Sequence, residues 1–104
     1  MLVARWSIDA KFGHKPKVTD SLLTWYRDIG SQIGWTEGKF RVLTGSVGVL
    51  ESTIISEVMV ESLAELNEAW DKLGEIEAHK EWSLDLEPHV VSGSHKWEIY
   101  RLVS

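Results

Sequence analysis

STIISEVMVESLAELNEAWDKLG, residues 52–74, contains both kinds of element that the fold is built from. Residues 52–60 are dense in Ile and Val, side chains that suit a pleated, half-buried strand. The period then changes. Ser62-Leu63-Ala64-Glu65 has the layout of a capping box, in which a serine hydroxyl takes one unpaired backbone N–H and a glutamate reaches back to another. Leu63, Leu66, Trp70 and Leu73 follow at helical spacing. A strand therefore feeds straight into an amphipathic helix, which Gly74 breaks or kinks.

Upstream, residues 39–46 read as another strand, and SVGVLES is short enough to close a hairpin onto residues 52–60. Before it, Val18, Leu22, Trp25, Ile29 and Ile33 recur at spacings of three or four, which predicts a helix over residues 17–32 ended by Gly34. Gly13 and Pro16 mark the loop before that helix. Residues 2–9 alternate, with Leu2, Ala4, Trp6 and Ile8 on one face and Val3, Arg5, Ser7 and Asp9 on the other.

Downstream, Ile76, His79, Trp82 and Leu86 fit one stripe of a second helical piece over residues 76–86, stopped by Pro88. Gly93 marks a turn into a last strand over residues 96–103.

The order strand, helix, strand, strand, helix, strand predicts an α+β, ferredoxin-like βαββαβ domain over residues 1–104, an antiparallel sheet with helices on one face. The other face carries Val3, Leu43, Val47 and Leu102 and needs a cover. A second copy of the chain is the simplest one, so a homodimer with sheets packed together is expected.

Composition narrows the function classes. A chain of 104 residues with 43% hydrophobic and 26% charged side chains suits one soluble domain. The net charge of −5 argues against nucleic acid, since Lys11, Lys15 and Lys17 are too short a basic cluster to bind a phosphate backbone. No cysteine is present, so disulfides and thiolate chemistry are excluded. No apolar run approaches the roughly 20 residues of a membrane span. No signal-peptide layout opens the chain, and a cytoplasmic, non-membrane protein is expected. Six tryptophans in so small a chain demand a thick core, a subunit interface or an aromatic pocket.

Motif chemistry is sparse. His14, His79, His89 and His95 include no pair at helical ligand spacing, HExxH is absent, and no metal or other cofactor is expected. Neither phosphate-loop pattern occurs, and Gly45-Ser46-Val47-Gly48 lacks the spacing of a nucleophile elbow. Arg5 and Glu57 lie mid-strand on what the topology makes neighbouring strands. They are either a structural ion pair at the dimer interface or a polar anchor for a ligand, with Arg41, Glu98 and Arg101 in the same network. His79 and Trp82 stand one helical turn apart. They are either a core tryptophan with a histidine at its edge or a pocket pair in which His79 acts as acid or base. His14 and Lys15 sit in a loop suited to a pocket mouth, and Tyr26 can point a phenol into that pocket.

The whole pattern resembles the dimeric α+β barrel superfamily, which includes antibiotic-biosynthesis-type monooxygenases, and within it the NIPSNAP family. The resemblance is carried by VARWSIDAKFGHKPKV, a first strand with an arginine and then a Pro/Gly-Lys loop before a long helix. It continues through LTGSVGVLESTIISEV, SLAELNEAW and HKEWSLDLEPHVVSGSHKWEIYRL. It spans nearly the whole chain. Trp6 departs from it, because the family tends to place its aromatic two residues after the arginine.

The resemblance implies a dimer and a pocket between sheet and helices near the second helical piece. Haem-degrading members pair a histidine with a tryptophan and an asparagine. The sole asparagine here is Asn67, on a helix, so that chemistry does not carry over. The expectation is a small-molecule-binding barrel for a partly apolar ligand. Any catalysis would be cofactor-independent oxygenation or proton transfer. His79, Tyr26 and Arg5 are the catalytic candidates, and Trp6, Trp82, His14 and Glu57 the ligand-binding ones. The competing expectation is a non-catalytic structural or interaction protein whose barrel is filled by its own tryptophans.

Overall fold

A computed structural model describes all 104 residues. Strand β1 is Leu2–Asp9 and helix α1 is Lys15–Asp28. Strands β2 (Phe40–Thr44) and β3 (Thr53–Val60) form the hairpin. Helices α2 (Leu63–Gly74) and α3 (Glu77–Leu86) follow, and β4 (Lys96–Arg101) completes the sheet. The strand order is β2-β3-β1-β4 with every pairing antiparallel, which is the ferredoxin-like arrangement.

The elements start and stop for local reasons. Ser62 caps α2 by accepting from the Glu65 N–H, and the Glu65 carboxylate accepts from the Glu61 N–H one residue before the cap. The predicted helix over residues 17–32 begins two residues earlier and ends at Asp28, with a 3₁₀ turn, Gly30–Ile33, in place of its last turn. That tightening keeps Ile29 and Ile33 in the core while Gly34 turns the chain at φ 82°. Gly74 ends α2 outright, so the second helical region is two helices rather than one kinked helix. Both β2 and β4 are shorter than the alternation implies, which leaves Leu102 outside β4, while Val47 lies in the hairpin beyond β2.

Register assigns the two faces of the sheet. Ala4 pairs with Val58 and Ile8 with Ile54, and all four are buried beneath the helices. Val18, Leu22, Leu66 and Leu73 close over them from α1 and α2. Each such side chain contributes about 1.5–3 kcal/mol on burial. The opposite face carries Val3, Arg5, Leu43, Ile55, Glu57, Met59 and Tyr100, and no helix covers it.

Candidate functional site

Between the inner sheet face and the helices lies a cavity of about 380 Å³. All six tryptophans line it. Trp6 on β1 pairs across the strands with Trp97 on β4, and together they form part of its floor. Trp25 comes from α1, Trp35 from the segment after the 3₁₀ turn, Trp70 from α2 and Trp82 from α3. Trp70 and Trp97 meet edge to face at 5.3 Å, and both are more than a third exposed, so they form the open side.

Trp25 is the hub. Its ring packs against Tyr26, Trp35, His79 and Trp82 at centroid separations of 4.9 to 6.0 Å. Gly30 makes this packing possible. A Cβ there would stand 3.0 Å from the Tyr26 ring and 3.1 Å from the Trp25 ring, so a larger residue would push the two apart.

Polar atoms are few and individually held. Trp25 Nε1–H donates to His79 Nδ1 at 2.9 Å, and Trp82 Nε1–H donates to the Ser21 carbonyl at 3.0 Å. Tyr26 and Ser56 share a hydrogen bond between their hydroxyls, and Tyr26 stacks on Phe40 at 3.8 Å. Burial pushes the Tyr26 phenol up to about 12, against the pull of the Ser56 bond. Burial pushes His79 below its ordinary value, so the ring is neutral at neutral pH. No Asp, Glu, Lys or Arg side chain reaches the wall.

The other candidates lie elsewhere. Arg5 and Glu57 meet on the outer sheet face, where Arg5 Nε and Nη2 approach Glu57 Oε2 at 2.7 and 2.6 Å. Arg41 Nε holds the other oxygen at 2.5 Å, leaving Glu57 only 2% exposed. Burial alone would raise this carboxyl. The hydrogen bonds from Arg41 and Arg5, with their charges, outweigh it and hold Glu57 below the usual carboxylate range. Arg5 also lies 4.9 Å over the Tyr100 ring, whose hydroxyl donates to Glu98. Arg101 does not join this network, because the two-residue period of β4 turns it toward the other face, opposite Leu2.

His14 stands at the start of α1, away from the cavity wall, with its Nδ1 2.9 Å from Nδ1 of His89. Nowhere do three or more His, Asp or Glu side chains gather as a metal cluster. The structure therefore brings Trp6, Tyr26, His79 and Trp82 together and sets Arg5, Glu57 and His14 apart from them. Sequence reasoning missed Trp35, Trp70, Trp97 and Ser56 as wall residues. For Ser56 and Trp97 the signal was available: both share a strand face with Trp6 by alternation.

No family model matches the chain, and no curated protein matches its sequence. Solved structures do. A NIPSNAP domain protein from Burkholderia xenovorans aligns at TM-score 0.72 and 15% identity, over 100% of this chain and 96% of that one. A NIPSNAP family protein from Agrobacterium tumefaciens aligns at TM-score 0.71 and 20% identity, over 99% and 93%. The chain shares the fold of these NIPSNAP proteins. An antibiotic-biosynthesis-monooxygenase-like protein from Nitrosomonas europaea shares it at TM-score 0.69 and 10% identity, over the full length of both chains. At these identities the NIPSNAP likeness is one of architecture. What the cavity does has to be argued from its own residues.

Proposed function

We propose that this protein binds a small, partly apolar molecule in the tryptophan-lined cavity and works as a homodimer. One observation carries the binding reading. A cavity of about 380 Å³ stays open among six large rings that could otherwise have packed into one another. Small-molecule sites are of this kind, mostly apolar with a few placed polar groups. A flat ring system would replace weakly held water and stack on indole faces. Trp6 and Trp82 are then ligand-stacking walls, and His79 and Tyr26 the polar contacts.

The dimer is supported by the uncovered sheet face. Val3, Ile55 and Met59 are part-exposed there, and Leu43 and Tyr100 are 37% and 44% exposed, around a carboxylate whose charge is already paired. Two such faces packed together would bury apolar area without stranding Glu57. Arg5 and Glu57 are then interface residues.

Should the cavity also do chemistry, cofactor-independent oxygenation or proton transfer is the class that the fold favours. His79 is the group to carry it, because it is the one imidazole on the wall.

Native mass spectrometry of freshly purified protein tests the reading. The expected result is a dimer that carries a small molecule or takes up an added flat aromatic compound, with a shift in tryptophan emission. A protein that never takes up a ligand, and whose emission no apolar compound changes, would instead be the structural alternative, a domain filled by its own tryptophans.

A further inference from the structure

Indole has one polar hydrogen and no acceptor, so its partner must be a bare lone pair. The Trp25 indole donates to His79 Nδ1. The proton of the neutral His79 ring therefore sits on Nε2. No protein group bonds Nε2, yet no buried side-chain nitrogen or oxygen lacks a partner. Nε2 is thus accessible, on a residue of the cavity wall. His79 has no lone pair left to accept with and one hydrogen to give.

The other wall residues add further donors, although the hydroxyl oxygens of Tyr26, Ser56 and Ser83 also keep lone pairs that can accept. Tyr26 and Ser56 own two hydroxyl hydrogens and share one hydrogen bond, so one hydrogen stays unspent whichever of them donates. Trp6 and Trp35 keep indole N–H groups with no protein acceptor, whereas Trp25 and Trp82 have spent theirs. Ser83, at the exposed rim, is the exception, because its hydrogen is spent on the His79 carbonyl. With no charged side chain on the wall, an ionised ligand would lose its hydration without compensation.

Resting on the reading of this cavity as a binding site, we infer that Trp25 is a positioning residue that holds His79 as an Nε2–H donor. The cavity then selects uncharged, flat apolar ligands that carry an acceptor oxygen, such as a ring-bound carbonyl. It disfavours analogues that lack the oxygen or carry an ammonium group.

NMR of the protein labelled with nitrogen isotope in histidine and tryptophan tests both halves. In the ligand-free protein, Nδ1 of His79 is expected to resonate as the bare nitrogen and Nε2 as the protonated one. The opposite tautomer overturns the inference and leaves the binding reading untouched. Titration then compares acetylnaphthalene, ethylnaphthalene and naphthylmethylamine substituted at the same ring position. The acetyl compound is expected to bind about fivefold tighter than the ethyl one, one hydrogen bond's worth, and the amine weakest.

Equal affinity for the acetyl and ethyl compounds, or preference for the amine, overturns the selectivity alone. Failure of all three to bind overturns the binding reading and this inference with it. Two variants sharpen the result. His79→Gln keeps an acceptor for Trp25 and an N–H for the ligand, so it should preserve the acetyl preference. His79→Leu, which offers neither, should abolish it. Loss of the preference in both, or in neither, counts against His79 as the donor.

Discussion

Ser56 and Glu57 are neighbours in β3, yet one looks into the cavity and the other into the opposite face of the sheet. Around Ser56 the surroundings are aromatic and uncharged. Polarity is settled by single neutral hydrogen bonds, such as that to Tyr26, and some donors are left over. Around Glu57 the surroundings are ionic and the account is closed, with each carboxylate oxygen held by an arginine. The strand's period of two separates these chemistries with no intervening layer. On the proposed function, one face meets something small and apolar, and the other lies flat against a second copy without exposing a bare charge. Changes on the two faces should therefore have separable effects.

The largest effect should come from the inner face. Trp25→Ala removes the ring at the centre of four aromatic contacts and strips the donor from His79. Truncating a buried tryptophan costs about 3–5 kcal/mol. Trp70→Ala, at the exposed rim, should cost much less. Urea unfolding of the two variants measures the difference. Equal losses would mean that the aromatic ring system has no centre.

Next in size is the outer face. Glu57→Ala leaves Arg5 and Arg41 facing each other with no carboxylate between them. Breaking a buried pair from one side costs about 3 kcal/mol or more, discounted here because Arg41 is 68% exposed. The cavity should be unaffected, so ligand affinity in the folded protein stays as it was. Acid makes the same point without mutation. Glu57 has an unfolded value of 4.5 and a lower folded one, so its stabilisation is complete above 4.5 and is lost as the pH falls below it. In Glu57→Gln that part of the acid slope should vanish. If it persists, other carboxylates cause it.

Much of this contrast was legible in the chain. Alternation in residues 2–9 puts Trp6 and Arg5 on opposite faces, and the strand order read from the sequence makes Arg5 and Glu57 neighbours. Ser62 and Glu65 marked the helix start because a cap is a local device. The gathering of six tryptophans around one space was not legible. Trp25 and His79 are 54 residues apart, and their bond depends on where α3 lies over α1. His14 and His89 are 75 residues apart, and nothing in either local pattern points to the other. Register and caps are local properties, whereas which rings converge is set by packing.

Tyr26→Phe is a smaller test. It removes one hydroxyl and leaves Ser56, itself buried, without its partner, at a cost of about 1 kcal/mol. The alkaline limb reports it independently. The unfolded phenol ionises at 10.0 and the folded one at about 12, so stability is full below 10.0 and falls as the pH rises toward 12. The variant should lose that fall. An unchanged alkaline limb would show that Tyr26 is not the buried phenol responsible.

The smallest expected effect belongs to His79, and it separates the two faces by pH. Burial lowers its folded value below the unfolded 6.5, so the unfolded chain takes up the proton first as the pH drops. Stability then rises with pH between the folded value and 6.5, and His79 adds no slope above that. Protonation would also put a hydrogen on Nδ1, where the Trp25 N–H already points, so the two effects act together. The stability curve should therefore bend twice on acidification, first below 6.5 from the inner face and then below 4.5 from the outer. His79→Gln should erase only the first bend, and Glu57→Gln only the second. A variant that erased both would mean that the sheet couples its two faces, and the separation drawn from Ser56 and Glu57 would fail.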